Sequence, residues 1–120
     1  MKEQTKAYFR AIEAKAKENR SSVSQGEESA YWNYRRSLEN GNGEFECSEL
    51  PWTTDMSNFV RTLREAGIKN IVVTERSTSL MENLHKHASQ GCTIAELCTT
   101  PHKNIWGEAE DVYGIRIDLN

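Results

Sequence analysis

The chain has 120 residues, 37% of them hydrophobic and 28% charged, and a formal net charge of −3. That length suits a single domain with a real core, and no apolar run approaches the roughly 20 residues that a membrane-crossing helix needs. The polar start, MKEQTKAYFR, lacks a signal-peptide core, and three cysteines fit reduced thiols better than a disulfide framework. A cytoplasmic location is therefore expected.

In chain order, residues 2–19 are rich in Ala, Lys and Glu, which favours helix. Phe9, Ile12 and Ala16 form a narrow apolar stripe with Tyr8 beside it, suited to loose packing or to a partner. After the polar loop Asn19–Gly26, Ser24 and Glu27 have capping-box spacing and open a helix over 27–40. Ala30, Tyr31, Tyr34 and Leu38 share its apolar face, and Gly41 and Gly43 end it. Trp32 and the pair Arg35–Arg36 fall off that stripe; rim packing is the ordinary explanation for Trp32 and an interaction anchor the alternative. Residues 44–50 alternate as a short strand, with Phe45 and Cys47 inward and Glu44, Glu46 and Glu49 outward.

The clearest local signal is Thr53–Glu75. Thr54 or Asp55 caps a helix whose apolar face is Met56, Phe59, Val60, Leu63 and Ala66. Gly67 supplies the left-handed stop, with Ile68 folding back on Leu63. Ile71-Val72-Val73 then reads as a strand covered on both faces, which points to parallel pairing. Ser79 and Glu82 again have capping-box spacing, before a helix over 80–90 with Leu80, Met81, Leu84 and Ala88 on its apolar face and Gly91 as its stop. Lys86 and His87 sit in its last turn, where positive charge suits the helix dipole. Cys92–Thr99 fits a strand, although Thr93-x-x-Glu96 also fits the cap of a short helix. Tyr113, Ile115, Ile117 and Leu119 alternate with Gly114, Arg116 and Asp118 in a last, half-exposed strand.

The order suggests a small α/β (α+β) domain. Its mixed four-stranded sheet would be mostly parallel, with an antiparallel C-terminal edge strand and helices on both faces. Residues 1–43 would be an N-terminal helical pair and 44–120 the α/β core.

In such a sheet, ligands collect beyond the carboxyl ends of the strands. Three loops should converge there, bringing together Trp52 and Asp55, then Arg76, Ser77 and Thr78, then His102 and Lys103. Arg76 with two hydroxyls at a helix start could hold an anion, but no P-loop or dinucleotide fingerprint is present and ordinary helix caps explain the same residues. Cys92, Cys98 and His102, with His85 and His87 earlier, match no familiar zinc spacing. As a strand, 92–98 would aim both thiols to one face. No third residue completes a Cys98–His102 dyad, so no catalytic residue, cofactor or metal is expected. The run LMENLHKHASQGCTIAELC has a helix-turn-helix cadence, but its second helix would bring no basic or amide side chain to a base edge.

Residues 1–40 carry 8 basic and 6 acidic groups, residues 41–120 carry 7 and 12. Neither part has the basic patch of a nucleic-acid binder. TLREAGIKNIVVTERSTSLMENLH, GCTIAELCTT and VYGIRID resemble uncharacterised small proteins carried by mobile elements of gut Firmicutes, over about residues 55–120. The resemblance implies an accessory protein that binds and modulates host machinery such as restriction or CRISPR effectors. The leading expectation is thus a non-enzymatic protein-interaction module, acting through an acidic surface and exposed aromatics such as Trp52 or Trp106. It needs no membrane and no directly bound nucleic acid, and homo-oligomers are open to it. The alternatives are a small-ligand or nucleotide-binding module using the three loops, catalytic or not, and a helix-turn-helix DNA binder.

Overall fold

The computed structural model describes residues 1–41, 43–51 and 53–120. The elements in order are α1 (Glu3–Glu18), a 3-10 turn (Arg20–Ser22), α2 (Gln25–Asn40), β1 (Glu46–Cys47), α3 (Met56–Glu65), β2 (Asn70–Val73), α4 (Leu80–Ser89), β3 (Thr93–Lys103) and β4 (Ala109–Asp118). This is the expected α+β fold around a mixed four-stranded sheet.

Local signals act as their residue types demand. The Ser24 hydroxyl accepts from the Glu27 amide while the Glu27 carboxylate accepts from the Ser24 amide, completing the capping box of α2. Asp55 caps α3 by accepting from the Asn58 amide; Thr54 instead shares a hydrogen bond with Ser29. At the end of α3 the Ile68 amide donates to the Leu63 carbonyl and the Gly67 amide to the Arg64 carbonyl, with Gly67 at φ 83°. That pair of bonds satisfies two carbonyls the helix leaves open. The expected box at Ser79 does not form. Ser79 has helical backbone angles and its side chain makes no cap hydrogen bond, and Glu82 pairs along the helix with Lys86.

The sheet order is β1-β2-β4-β3. β1 and β2 are parallel, and β4 runs antiparallel to both of its neighbours. Strands β1, β2 and β3 therefore point the same way, as expected, but β4 lies inside the sheet and β3 forms the edge. The alternation that marked β4 as half-exposed has another cause. Gly114 is buried against the Val72 side chain, and Arg116 is taken up by Glu44, Glu96 and Asn70. Gly114 and Arg116, at alternate positions here, meet other protein groups.

Ile71, Val73, Ile117 and Leu119 join Phe9 and Ile12 of α1, Tyr34 of α2, Phe59 and Leu63 of α3 and Leu84 of α4 in one core cluster. Val72, between them in sequence, is buried but lies outside that cluster. The apolar helix faces thus gather on one side of the sheet, where cover on both sides was expected. α1 packs more firmly than its stripe suggests: Phe9 stacks on Tyr34 with centroids 4.3 Å apart, and the Thr5 hydroxyl donates to the Ala66 carbonyl at 2.7 Å. Leu38 of α2 turns outward, and Ser29, Asn33 and Ser37 are buried in its place, where Gly26 lets α2 approach α3 at Asn58 and Phe59. In α4 the inward residues are Asn83, Leu84 and His87, while Met81 and Ala88 face out. His87 is therefore not a surface cation at the helix end. Its Nδ1 lies 2.9 Å from the Asn83 carbonyl, its ring meets Phe59 edge-on, and burial holds its pKa below the ordinary value.

Residues 93–98 are strand, so the second helix of a helix-turn-helix is not there. Cys92 and Cys98 face opposite sides. A bulge between Ile94 and Glu96 shifts the alternation by one residue, placing Cys92 in the core cluster and Cys98 opposite Gly114. No helix among the described residues is long and apolar enough to cross a membrane.

Candidate functional site

Because β1, β2 and β3 share a direction, their carboxyl ends lie at one end of the sheet. The β3–β4 hairpin is far longer than β2, and beyond the β2 pairing it reaches Glu46 of β1 and Asn40 of α2. Glutamates at β1 fasten it there. Glu44 bonds to Thr100 and Arg116. Glu46, expected to face solvent, is only 1% exposed: its Oε2 accepts from the Thr74 hydroxyl at 2.7 Å, its Oε1 from the Asn40 amide at 2.9 Å, and His102 Nδ1 reaches both oxygens at 2.9 and 3.0 Å. A carboxylate can only accept, so Nδ1 carries the proton and Nε2 is the nitrogen left for other partners.

This pair borders a cleft of about 630 Å³. Arg36 and Glu39 of α2 and Ser48 after β1 form one side, Thr74 and Arg76 at the end of β2 the base, and Lys103, Asn104, Ile105, Glu110 and Val112 of the hairpin the other. Asn40 ties the two sides together, since its Oδ1 also accepts from the Lys103 amide at 3.1 Å. Arg36 donates to the Ser48 hydroxyl. Among the described residues, Arg36, Arg76 and Lys103 form no ion pair with a carboxylate, so three cationic groups line one hollow unneutralised by direct contact.

Of the residues expected to converge, Arg76, His102 and Lys103 do so. Asp55 does not; it is committed to the N-terminus of α3, where Asn58 and Ser57 donate to it and hold its carboxyl below the usual range. Ser77 donates to buried Glu75, and Thr78 lies in an exposed turn. Trp52 lies outside the described residues. Glu46, Arg36 and Asn40 complete the site without having been anticipated.

Next to the cleft, the turn between β3 and β4 is built on Asn104. Its side-chain oxygen accepts from the Trp106 and Glu108 amides, its amide donates to the Glu108 carbonyl, and Gly107 takes φ 76°. This closed turn presents Ile105 at 91% and Trp106 at 77% exposure. Further along the hairpin, Leu97 and Tyr113 are also exposed. They are diagonal neighbours on one face, because Leu97 pairs with Ile115 and Thr99 with Tyr113.

A family model described as a domain of unknown function, DUF7698, matches residues 29–119. The chain belongs to that family. The matched span runs from within α2 to the end of β4, so every residue of the DUF7698 cleft and hairpin lies inside it, whereas α1 does not. Comparison with curated proteins and with solved structures finds no match. Among the described residues of this DUF7698 chain, no three His, Cys, Asp or Glu side chains are grouped to hold a metal ion.

Proposed function

We propose that the chain is a protein-interaction module whose contact point is the turn between β3 and β4. The observation that carries this is the display of Ile105 and Trp106 on a turn held closed by Asn104. Leaving two large apolar side chains in water on an ordered turn forgoes burial worth about 1.5–3 kcal/mol each, which a partner would recover. A preformed tip also loses little entropy on binding, and Trp is the side chain most enriched where interfaces concentrate their energy. Exposed Glu108, Glu110 and Asp111 flank the tip and favour a basic protein surface over nucleic acid or an anionic membrane. The resemblance to small proteins of mobile elements supports host nucleic-acid-processing or defence machinery as the partner, with this chain as its modulator or inhibitor.

The test is affinity capture from host lysate with the wild-type chain and with an Ile105→Ser/Trp106→Ser variant, the retained protein being identified by mass spectrometry. The expected result is one protein held by the wild type and lost by the variant. Equal retention by both, or no retained protein, would overturn the reading.

A further inference from the structure

The hollow beside the tip shares Ile105 with it but adds a polar chemistry that protein docking at the tip does not use. Its volume of about 630 Å³ falls in the range of small-molecule sites, and its lining divides into three kinds of group. Arg36, Arg76 and Lys103 are cations with no carboxylate partner among the described residues. Ile105 and Val112 give an apolar wall. His102, turned by Glu46 so that Nε2 has no partner among the described residues, can exchange a hydrogen bond with a hydroxyl.

From this division we infer that the cleft binds a nucleoside monophosphate. The phosphate meets the three cations, which supply charge-assisted donors suited to its oxygens. The base lies along Ile105 and Val112, and a ribose hydroxyl meets His102. Two carboxylates in the lining, Glu39 and Glu110, suit the amino and ring N–H donors of a base, and they repel any phosphate beyond the first. Together with the net charge of −3, that selects a mononucleotide over a polynucleotide. The buried carboxylate has a function in this arrangement. Burying Glu46 costs solvation, and in return the imidazole is held in one orientation before the ligand arrives.

The test uses the full chain, with calorimetric titration and melting curves against AMP, GMP, adenosine, inorganic phosphate and a short single-stranded oligonucleotide. A mononucleotide should bind and raise Tm, with inorganic phosphate and adenosine each at least tenfold weaker. Arg76→Ala alters an exposed side chain and should leave the fold intact while weakening the mononucleotide at least tenfold; Ile105→Ser should weaken the mononucleotide and leave inorganic phosphate unchanged. Trp106→Ser should bind it as the wild type does, which separates this site from the docking tip. The inference is overturned if no mononucleotide binds at millimolar concentration. It is likewise overturned if phosphate alone binds as tightly, if the oligonucleotide binds better, or if Arg76→Ala changes nothing.

Discussion

Replacing His102 by alanine probes what holds the hairpin over the sheet. The imidazole is the only aromatic donor to Glu46 among the described residues, and it contacts both carboxylate oxygens at 2.9 and 3.0 Å. Without it the carboxylate keeps Thr74 and Asn40 but loses its one ionisable partner. Removing a donor from a buried acceptor costs about 1–3 kcal/mol, and more when the acceptor is charged. Here two neutral donors remain and the cleft admits water to the vacated space, so about 2–3 kcal/mol is expected. With an unfolding entropy near 2.1 cal/mol/K per residue, a chain of this length should melt about 8–12 °C lower. Urea denaturation gives the free energy directly, and Glu46→Gln with the double variant closes a cycle that isolates the pair. His102→Gln, which restores an amide donor, should recover part of the loss. A His102→Ala variant within about 0.5 kcal/mol of wild type, a typical surface substitution, would show that the hairpin is held by other contacts and that the site is not built on this pair.

Three further outcomes follow from the core. His87 is fully buried and its pKa lies below the ordinary 6.5. Under acid the unfolded chain takes up a proton that the native state refuses, so stability is full above about pH 6.5 and declines as pH falls toward the depressed native value. The limiting slope is about 1.4 kcal/mol per pH unit, and His87→Leu should flatten that limb of a stability–pH curve; an unchanged limb would contradict it. Gly114→Ala places a methyl group against the Val72 side chain and the Val73 carbonyl, and should cost about 1–3 kcal/mol by overpacking, measured by chemical denaturation. Burial raises the pKa of all three thiols, that of Cys47 to about 12. Iodoacetamide on the native protein should label Cys98 first, slowly, and reach buried Cys47 and Cys92 only on unfolding, as peptide mapping would show.

What the sequence disclosed was what neighbouring residues decide among themselves. The Ser24–Glu27 box and the Gly67–Ile68 stop involve partners within five positions, and both form as read. At Ser79 the same spacing failed because a helix start also needs an extended backbone angle at the cap, which the spacing does not carry. The cleft was reachable in part by topology. Parallel strands share an end, and that rule alone brought Arg76, His102 and Lys103 together. Glu46 was out of reach, because an alternating glutamate reads the same whether water or a returning hairpin covers it. The Cys92–Cys98 facing was lost to one inserted residue at the bulge, where no glycine marks the place. The position of β4 was likewise decided at a distance, by the fit of Gly114 to Val72.

That position bears on how the protein is made. β4 is the last of the four strands to leave the ribosome, yet it lies between β2 and β3 and, among the described residues, supplies the only strand to which β3 is bonded. Until residues 109–118 emerge, β2 has β1 alone beside it and β3 has nothing. During synthesis the helices and the β1–β2 pair can gather, but the sheet cannot close. Nascent chains halted before residue 109 should therefore leave the β4-facing edge of β2 unpaired and open to chaperones and proteases, and quality control of this protein turns on β4.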